Sequence, residues 1–363
     1  MPMNTSEDIT NIVMKAMGDA VSERGHVNVL IAGRTGVGKS TLINAVFQGN
    51  LAETGQGKPV TTTTREISKE GIPLTIFDTR GLELQDYQNT LQELENLVKE
   101  RLKETDASKH IHVAWLCIHE DGRRVEPAEI ALHHLLAQHM PVIGVITKAR
   151  ADNNFRMEVQ RLLPEAKNVV RVRALQETLD EGHVLPLLGL ENLVDVTAQA
   201  IPEAYRRAFI AAQKASLQKK KELAHKIVIG ASAAAAAAGA SPIPFSDALI
   251  LVPIQIGMLA SISSAFGLEL STAFLSTLVA SMAGTTGATF LGRAIVTNLL
   301  KFIPGVGTVT GGAISAATAA GLTTTLGEIY ISTLESLASA NKGEPPSTDQ
   351  VVQEFNSRVK KKA

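Results

Sequence analysis

Short runs rich in apolar residues recur through the first half of the chain, at 27–32, 66–69, 74–78, 112–118, 142–147 and 169–172. Their lengths predict strands. Between them, mixed apolar and charged segments at 39–47, 87–103, 127–138 and 154–163 predict amphipathic helices. Strands alternating with helices imply an α/β unit with a mostly parallel sheet covered on both faces. In such a unit, ligands belong at the carboxyl ends of the strands.

The pattern changes after residue 226. From 227 to 327 the only charged residues are Asp247, Glu269, Arg293 and Lys301, which leaves uncharged windows at 227–246, 248–268, 270–292 and 302–327. Each is long enough to span a bilayer. Their Ala, Gly, Ser and Thr content contributes little transfer energy, and the same small residues pack closely in a helical bundle. The expectation is an all-helical domain with peripheral or conditional membrane contact, an integral membrane protein being the alternative. Segment 201–226 carries Arg206, Arg207, Lys214, Lys219, Lys220 and Lys221, a basic helix that serves as a rigid link or faces phospholipid headgroups. The domain reading is therefore an N-terminal helical segment at 1–26, the α/β unit at 27–196, a basic linker helix at 197–226, the helical domain at 227–340 and a polar, mobile tail at 341–363.

Composition narrows the partners. Among 363 residues, 35 Lys and Arg against 36 Asp and Glu give a net charge of −1, so nucleic acid is not the expected main partner. Cys117, the single cysteine, excludes an intrachain disulfide framework and a cysteine-rich metal site. With no basic-then-apolar leader readable at 1–12, the expected compartment is the reducing cytoplasm.

The chemistry concentrates after the first strand. Gly33-Arg34-Thr35-Gly36-Val37-Gly38-Lys39-Ser40 fits G-x-x-x-x-G-K-[ST] between a predicted strand and a predicted helix. Glycines let the backbone wrap around phosphates and the helix adds its positive end. The phosphate set is Gly33, Thr35, Gly36, Val37, Gly38, Lys39, Ser40 and Thr41, with Lys39 reaching the β and γ phosphates and Ser40 ligating Mg²⁺. Asp78-Thr79-Arg80-Gly81 closes the strand from Leu74, where Asp78 can bind Mg²⁺ and Gly81 can turn its N–H toward a γ-phosphate. Thr61, Thr62 and Thr63 lie between these segments and offer hydroxyls for the metal.

These segments resemble the first three motifs of Era/MnmE/septin-like GTPases of the translation-factor-related class. The resemblance implies a Ras-like G domain with GTP or GDP as bound nucleotide, Mg²⁺ held by Ser40, Thr62 and Asp78, and catalysis assisted by Lys39, Thr62 and Gly81. The fourth family motif aligns with Thr147-Lys148-Ala149-Arg150 and the fifth with Arg173-Ala174. Arg150 stands where the family has the carboxylate that reads guanine, and a guanidinium offers only donors. Asp152, two residues later, is the candidate carboxylate to turn back into the pocket in its place. Leu82 follows the third-motif glycine, where some relatives carry a catalytic glutamine, and leucine cannot orient water. The missing group then comes from a switch residue, a cation or a second G domain in a homodimer, with Arg34, Arg80, Glu83, Arg123 and Arg124 as local candidates. The second half resembles a domain of unknown function, DUF697-like, on the segments 239–248, 253–258 and 302–307. The expected function is a slow Mg²⁺-dependent GTPase switch coupled to a helical effector domain. The alternatives are a nucleotide-regulated membrane scaffold and an ATP-binding regulatory module.

Overall fold

The computed structural model describes residues 6–54, 58–59, 61, 64–79, 87–239, 247–283 and 315–362. The chain forms two compact units, Gly25–Ser216 and a second one assembled from Met1–Arg24 together with Leu217–Ala363.

The first unit is an α/β layer structure. Its strands are β1 (Val27–Gly33), β2 (Lys58–Pro59), β3 (Thr64–Ser68), β4 (Leu74–Thr79), β5 (Val113–His119), β6 (Val142–Thr147) and β7 (Asn168–Arg171). They form a seven-stranded sheet in the order β2-β3-β4-β1-β5-β6-β7. Strands β4, β1, β5, β6 and β7 run parallel, while β3 and β2 are antiparallel additions at one edge. A small hairpin, β8 (Glu177–Thr178) and β9 (Val184–Leu185), follows β7.

Alternation along β5 shows how the sheet fills both faces. Val113, Trp115 and Cys117 enter one core, with residues of α2 (Lys39–Val46), α7 (Leu190–Ala200) and α8 (Glu203–Ala212). Ala114, Leu116 and Ile118 enter the other, with α4 (Tyr87–Lys103), α5 (Pro127–Ala137) and α6 (Phe155–Leu162). Short α3 (Leu51–Thr54) completes the unit. Trp115 stacks on Phe47 at 5.5 Å between ring centroids and donates its indole N–H to Thr197 Oγ1 at 3.1 Å. A buried indole thus has both its ring and its polar tip satisfied.

The unit extends beyond residue 196, and segment 197–226 is not one linker helix. Buried Ala208, Phe209, Ala211 and Ala212 draw α8 onto the sheet, with Phe209 edge-on to Phe47 at 6.0 Å. The backbone of Gln213 then pairs with Phe47 before α9 (Leu217–Gly239) begins in the other unit.

The second unit is helical: α1 (Ser6–Arg24), α9, α10 (Asp247–Ala265), α11 (Thr272–Ala283), α12 (Ala316–Ala340) and α13 (Thr348–Lys362). Helix α9 packs along α12 and α10, α1 lies on α10, and α13 lies on α12 and α11. The approach of α9 to α12 depends on Gly327, where an added Cβ would stand 2.4 Å from Val228 Cγ2. Buried Tyr330 donates or accepts a 2.6 Å hydrogen bond with Ser263 and meets the Phe355 ring edge-on at 5.4 Å. The tail expected to be mobile is therefore corrected: Val351 and Phe355, one helical turn apart, are fully buried and fold it as α13. No described helix is long and apolar enough to cross a membrane. Segments 240–246 and 302–307, which carry part of the second resemblance, lie outside the described residues.

Candidate nucleotide site

The loop between β1 and α2 is shaped by three glycines at positive φ: Gly33 (148°), Gly36 (76°) and Gly38 (101°). Gly38 caps α2 without a side-chain hydrogen bond, so the helix presents backbone N–H groups that no capping side chain occupies. Lys39 curls over the loop and its Nζ donates to the carbonyls of Gly33 at 2.9 Å and Arg34 at 3.3 Å. Val37 is buried, whereas Thr35, Gly36 and Ser40 are exposed and Thr41 is half-buried. Thr147, at the end of β6, donates its hydroxyl to Val37 O at 2.7 Å and ties the loop to the fourth-motif segment.

Asp78 stands near the end of β4, in register with Ile31 of β1. Among the described residues its buried Oδ1 has no hydrogen-bond partner. Burial pushes the carboxyl pKa up, and the nearby charges of Lys39 and Arg65 oppose that rise. An orphaned, buried carboxylate oxygen one strand from the phosphate loop fits a divalent cation such as Mg²⁺. Thr61 is half-buried and its N–H donates to Thr64 O at 3.3 Å, and Thr79 is buried at the end of β4. Thr62, Thr63, Arg80, Gly81, Leu82 and Glu83 lie outside the described residues.

On the other side of the loop a cavity of about 280 Å³ is lined by Gly38, Thr41, Thr147, Lys148 and Ala174, among others. The Lys148 stem reaches this wall, its Cε 3.9 Å from where a Cβ on Gly38 would stand. Arg150 and Arg173 also line the cavity. The Arg173 side chain is spent on backbone, donating to Ala149 O at 2.8 Å and Pro186 O at 2.5 Å. Asp152 does not turn back into the cavity. Its Oδ1 accepts from Arg156 N at 2.9 Å at the start of α6, and lies 3.6 Å from Arg171 Nε.

Two carboxylates that sequence reasoning missed organise this end. Glu120 is fully buried and accepts from Arg171 Nε at 2.6 Å, from Ala151 N at 3.0 Å and from Arg150 N. Burial alone would raise its pKa, but the hydrogen bonds from Arg171 and Arg150 outweigh that and lower it. Glu177 lines the cavity and accepts from Arg150 through both oxygens, from Nε at 2.9 Å and from Nη2. The described arginines among those considered for catalysis, Arg34, Arg123 and Arg124, have other partners. Arg34 and Arg124 share Glu126 at 3.3 Å and 2.5 Å, and Arg123 donates to the carbonyls of Ala151 and Asp152.

A glycine-rich phosphate loop, an aspartate at the neighbouring strand end and a cavity beyond the loop define a P-loop G domain. Residues 28–148 match the family described as 50S ribosome-binding GTPase. Residues 205–361 match the domain of unknown function DUF697. Residues 28–148 thus resemble a P-loop GTPase domain, and residues 205–361 resemble a helical domain of the DUF697 type. The chain is similar to the tRNA modification GTPase MnmE of Paracidovorax citrulli, 34% identical over 139 residues covering 35% of this chain and 27% of the relative. The MnmE of Polaromonas sp. is 29% identical over 171 residues, 45% of this chain and 30% of that protein. The MnmE of Bordetella parapertussis is 28% identical over 209 residues, 54% and 43% of the two chains. The chain thus spans less than half the length of these relatives.

Proposed function

We propose that this protein is a slow GTPase switch whose G domain acts on the helical unit as effector. One observation carries the reading: the Thr147–Val37 hydrogen bond joins the phosphate loop to the base cavity, so a single nucleotide would meet both. Phosphates would lie on the backbone of 33–41 with Lys39 over them, and the base would enter between Lys148 and Ala174. Bound Mg²⁺ would neutralise charge on the phosphates, with Ser40, Thr62 and Asp78 as its holders. Lys39 and the Gly81 N–H would favour the more dispersed charge of the transferring phosphoryl group. Leu82 contributes nothing to aligning the attacking water, which makes unaided turnover slow. A second copy of the G domain would supply what is absent. The cytoplasm suits the one buried, unpaired cysteine. The tRNA-modifying role in the relatives' names attaches to proteins of more than twice the aligned length.

The test is titration of the full chain with GTP, GDP and ATP with and without Mg²⁺, followed by phosphate release. Lys39→Ala should abolish triphosphate binding. Equal or tighter binding of ATP, or Lys39→Ala binding as the parent does, defeats the reading.

A second reading, reversible lipid contact by the helical unit, is favoured by its exposed apolar residues Ile229 on α9 and Ile250 on α10. Flotation with anionic vesicles checks it: salt-reversible, nucleotide-dependent co-flotation supports it, and none in any nucleotide state removes it.

A further inference from the structure

We propose that Glu177 supplies the carboxylate that reads the N1–H and 2-amino edge of guanine, displaced from the fourth motif onto the hairpin after β7 and held there by Arg150. The proposal rests on the guanine-nucleotide reading above.

The geometry begins with a substitution that looks fatal to guanine recognition. Guanine presents two donors on that edge and needs acceptors, whereas Arg150 offers only donors. Arg150 does not leave the site without an acceptor, because its fork grips Glu177 through both carboxylate oxygens. Glu177 and Arg150 line the same cavity as Lys148 and Ala174, between which the base would enter. A carboxylate has about four acceptor positions. The two bonds from Arg150 leave the others for a ligand.

The pair stands on fixed supports. On one side, buried Glu120 clamps the N–H groups of Arg150 and Ala151. On the other, Arg173 and Leu188 exchange backbone hydrogen bonds at 3.0 and 3.1 Å. The Arg173 side chain adds bonds to Ala149 and Pro186, tying the foot of the hairpin to the fourth-motif loop. Within the hairpin, Leu179 N donates to His183 O at 2.8 Å. The hydrogen bond and charge of Arg150 hold the Glu177 carboxyl below the usual carboxylate range, so it is an acceptor throughout the neutral range. Asp121, 3.7 Å from Arg150 Nη1, offsets the remaining positive charge near the cavity. An isolated surface ion pair would need none of these supports, and would contribute little.

The consequence for selectivity is chemical. Adenine has no N1–H and no 2-amino group, so it would leave the carboxylate facing a ring nitrogen. Xanthine carries a carbonyl where guanine carries the amino group, and would repel Glu177 but accept from an amide. The experiment is calorimetric titration of the full chain, wild type, Glu177→Gln and Arg150→Ala, with GDP, XDP and ADP. Glu177→Gln is expected to weaken GDP by about tenfold or more. XDP should tighten until it exceeds GDP, and ADP should be unchanged, which also reports an intact fold. Arg150→Ala, which only frees Glu177, should weaken GDP less and bring no gain for XDP. A wild type that prefers GDP, with the same preference in Glu177→Gln, overturns the role of Glu177 and leaves guanine binding standing. Gain of XDP in Arg150→Ala, with Glu177 still in place, would show that Glu177 does not exclude xanthine and would also overturn its role. A wild type with no preference for GDP overturns the nucleotide assignment itself.

Discussion

Gly33 lies so close to Cys117 that a Cβ on the glycine would stand 2.5 Å from the cysteine carbonyl oxygen. The two are partners in the β1–β5 pairing, at the point where β1 turns into the phosphate loop. Gly33 also sits at a φ of 148°, and its carbonyl accepts from Lys39. Gly33→Ala should push β1 from β5 at the loop, lower stability by about 2 kcal/mol or more, and remove GTP binding. Thermal melting with and without GTP checks this; parental behaviour in both conditions would contradict the fit.

Asp78 separates metal binding from folding. Its pKa is raised above 3.8 by burial, so ionisation costs the fold stability as the pH climbs through that raised value. Asp78→Asn should leave the nucleotide-free protein equally or more stable at pH 7, while cancelling the extra stabilisation that Mg²⁺ adds to GTP. Melting curves with GTP, in Mg²⁺ and in a chelator, would show it. Loss of stability without nucleotide would mean that Asp78 serves the fold instead.

At Gly327 two effects oppose each other. Alanine improves helix propensity over glycine by about 1 kcal/mol, but overpacking against a core neighbour costs about 1–3 kcal/mol. With Val228 Cγ2 2.4 Å from the added Cβ, the clash should win. Gly327→Ala is expected to destabilise the helical unit, and Val228→Ala in the same chain should restore part of the loss. Denaturant midpoints of the three variants decide it, and a stabilised Gly327→Ala would show that α9 and α12 yield easily.

Lys220 is buried beneath α10, and its Nζ donates to Phe266 O at 3.1 Å. Burial drops its pKa to about 7, against the opposing charge of Glu344. The unfolded chain then holds a proton that the folded chain gives up between about pH 7 and the lysine's ordinary 10.5. Stability should therefore rise with pH there, on the order of 2 kcal/mol from pH 7 to 9. Lys220→Met should flatten that rise. The comparison is of denaturant curves for the two proteins across the range, and parallel pH profiles would defeat the assignment.

How far the sequence disclosed this molecule depends on how local each signal is. The bounds of β6 and α4 agree with the pattern because a contiguous apolar run and a long amphipathic stretch need only their own residues to be read. In α13 the signal was present in Val351 and Phe355, but the surrounding lysines and polar residues outweighed it. Helix α7 carried no expectation of its own and α8 fell inside the expected linker helix, although their apolar faces are the ones that bury Thr197 and Phe209. In the site, the phosphate loop follows from one strand, one loop and one helix. Glu120 and Glu177 could not be found in the same way. Their partners Arg150 and Arg171 approach only when β5, β6 and β7 are laid side by side.

The order in which the chain is made gives the discontinuous helical unit a further property. Helix α1 ends at Arg24, and α10, on which it packs, starts at Asp247, 223 positions later. At about 5–20 residues per second of synthesis, α1 waits roughly ten to forty-five seconds for that surface to emerge. The whole of Gly25–Ser216 is contiguous and leaves the ribosome in the interval. The nucleotide-binding unit can thus finish folding, and take up its ligand, before the helical unit has its first long-range contact. A nascent-chain chaperone would meet an already closed G domain flanked by an amphipathic helix still looking for its seat.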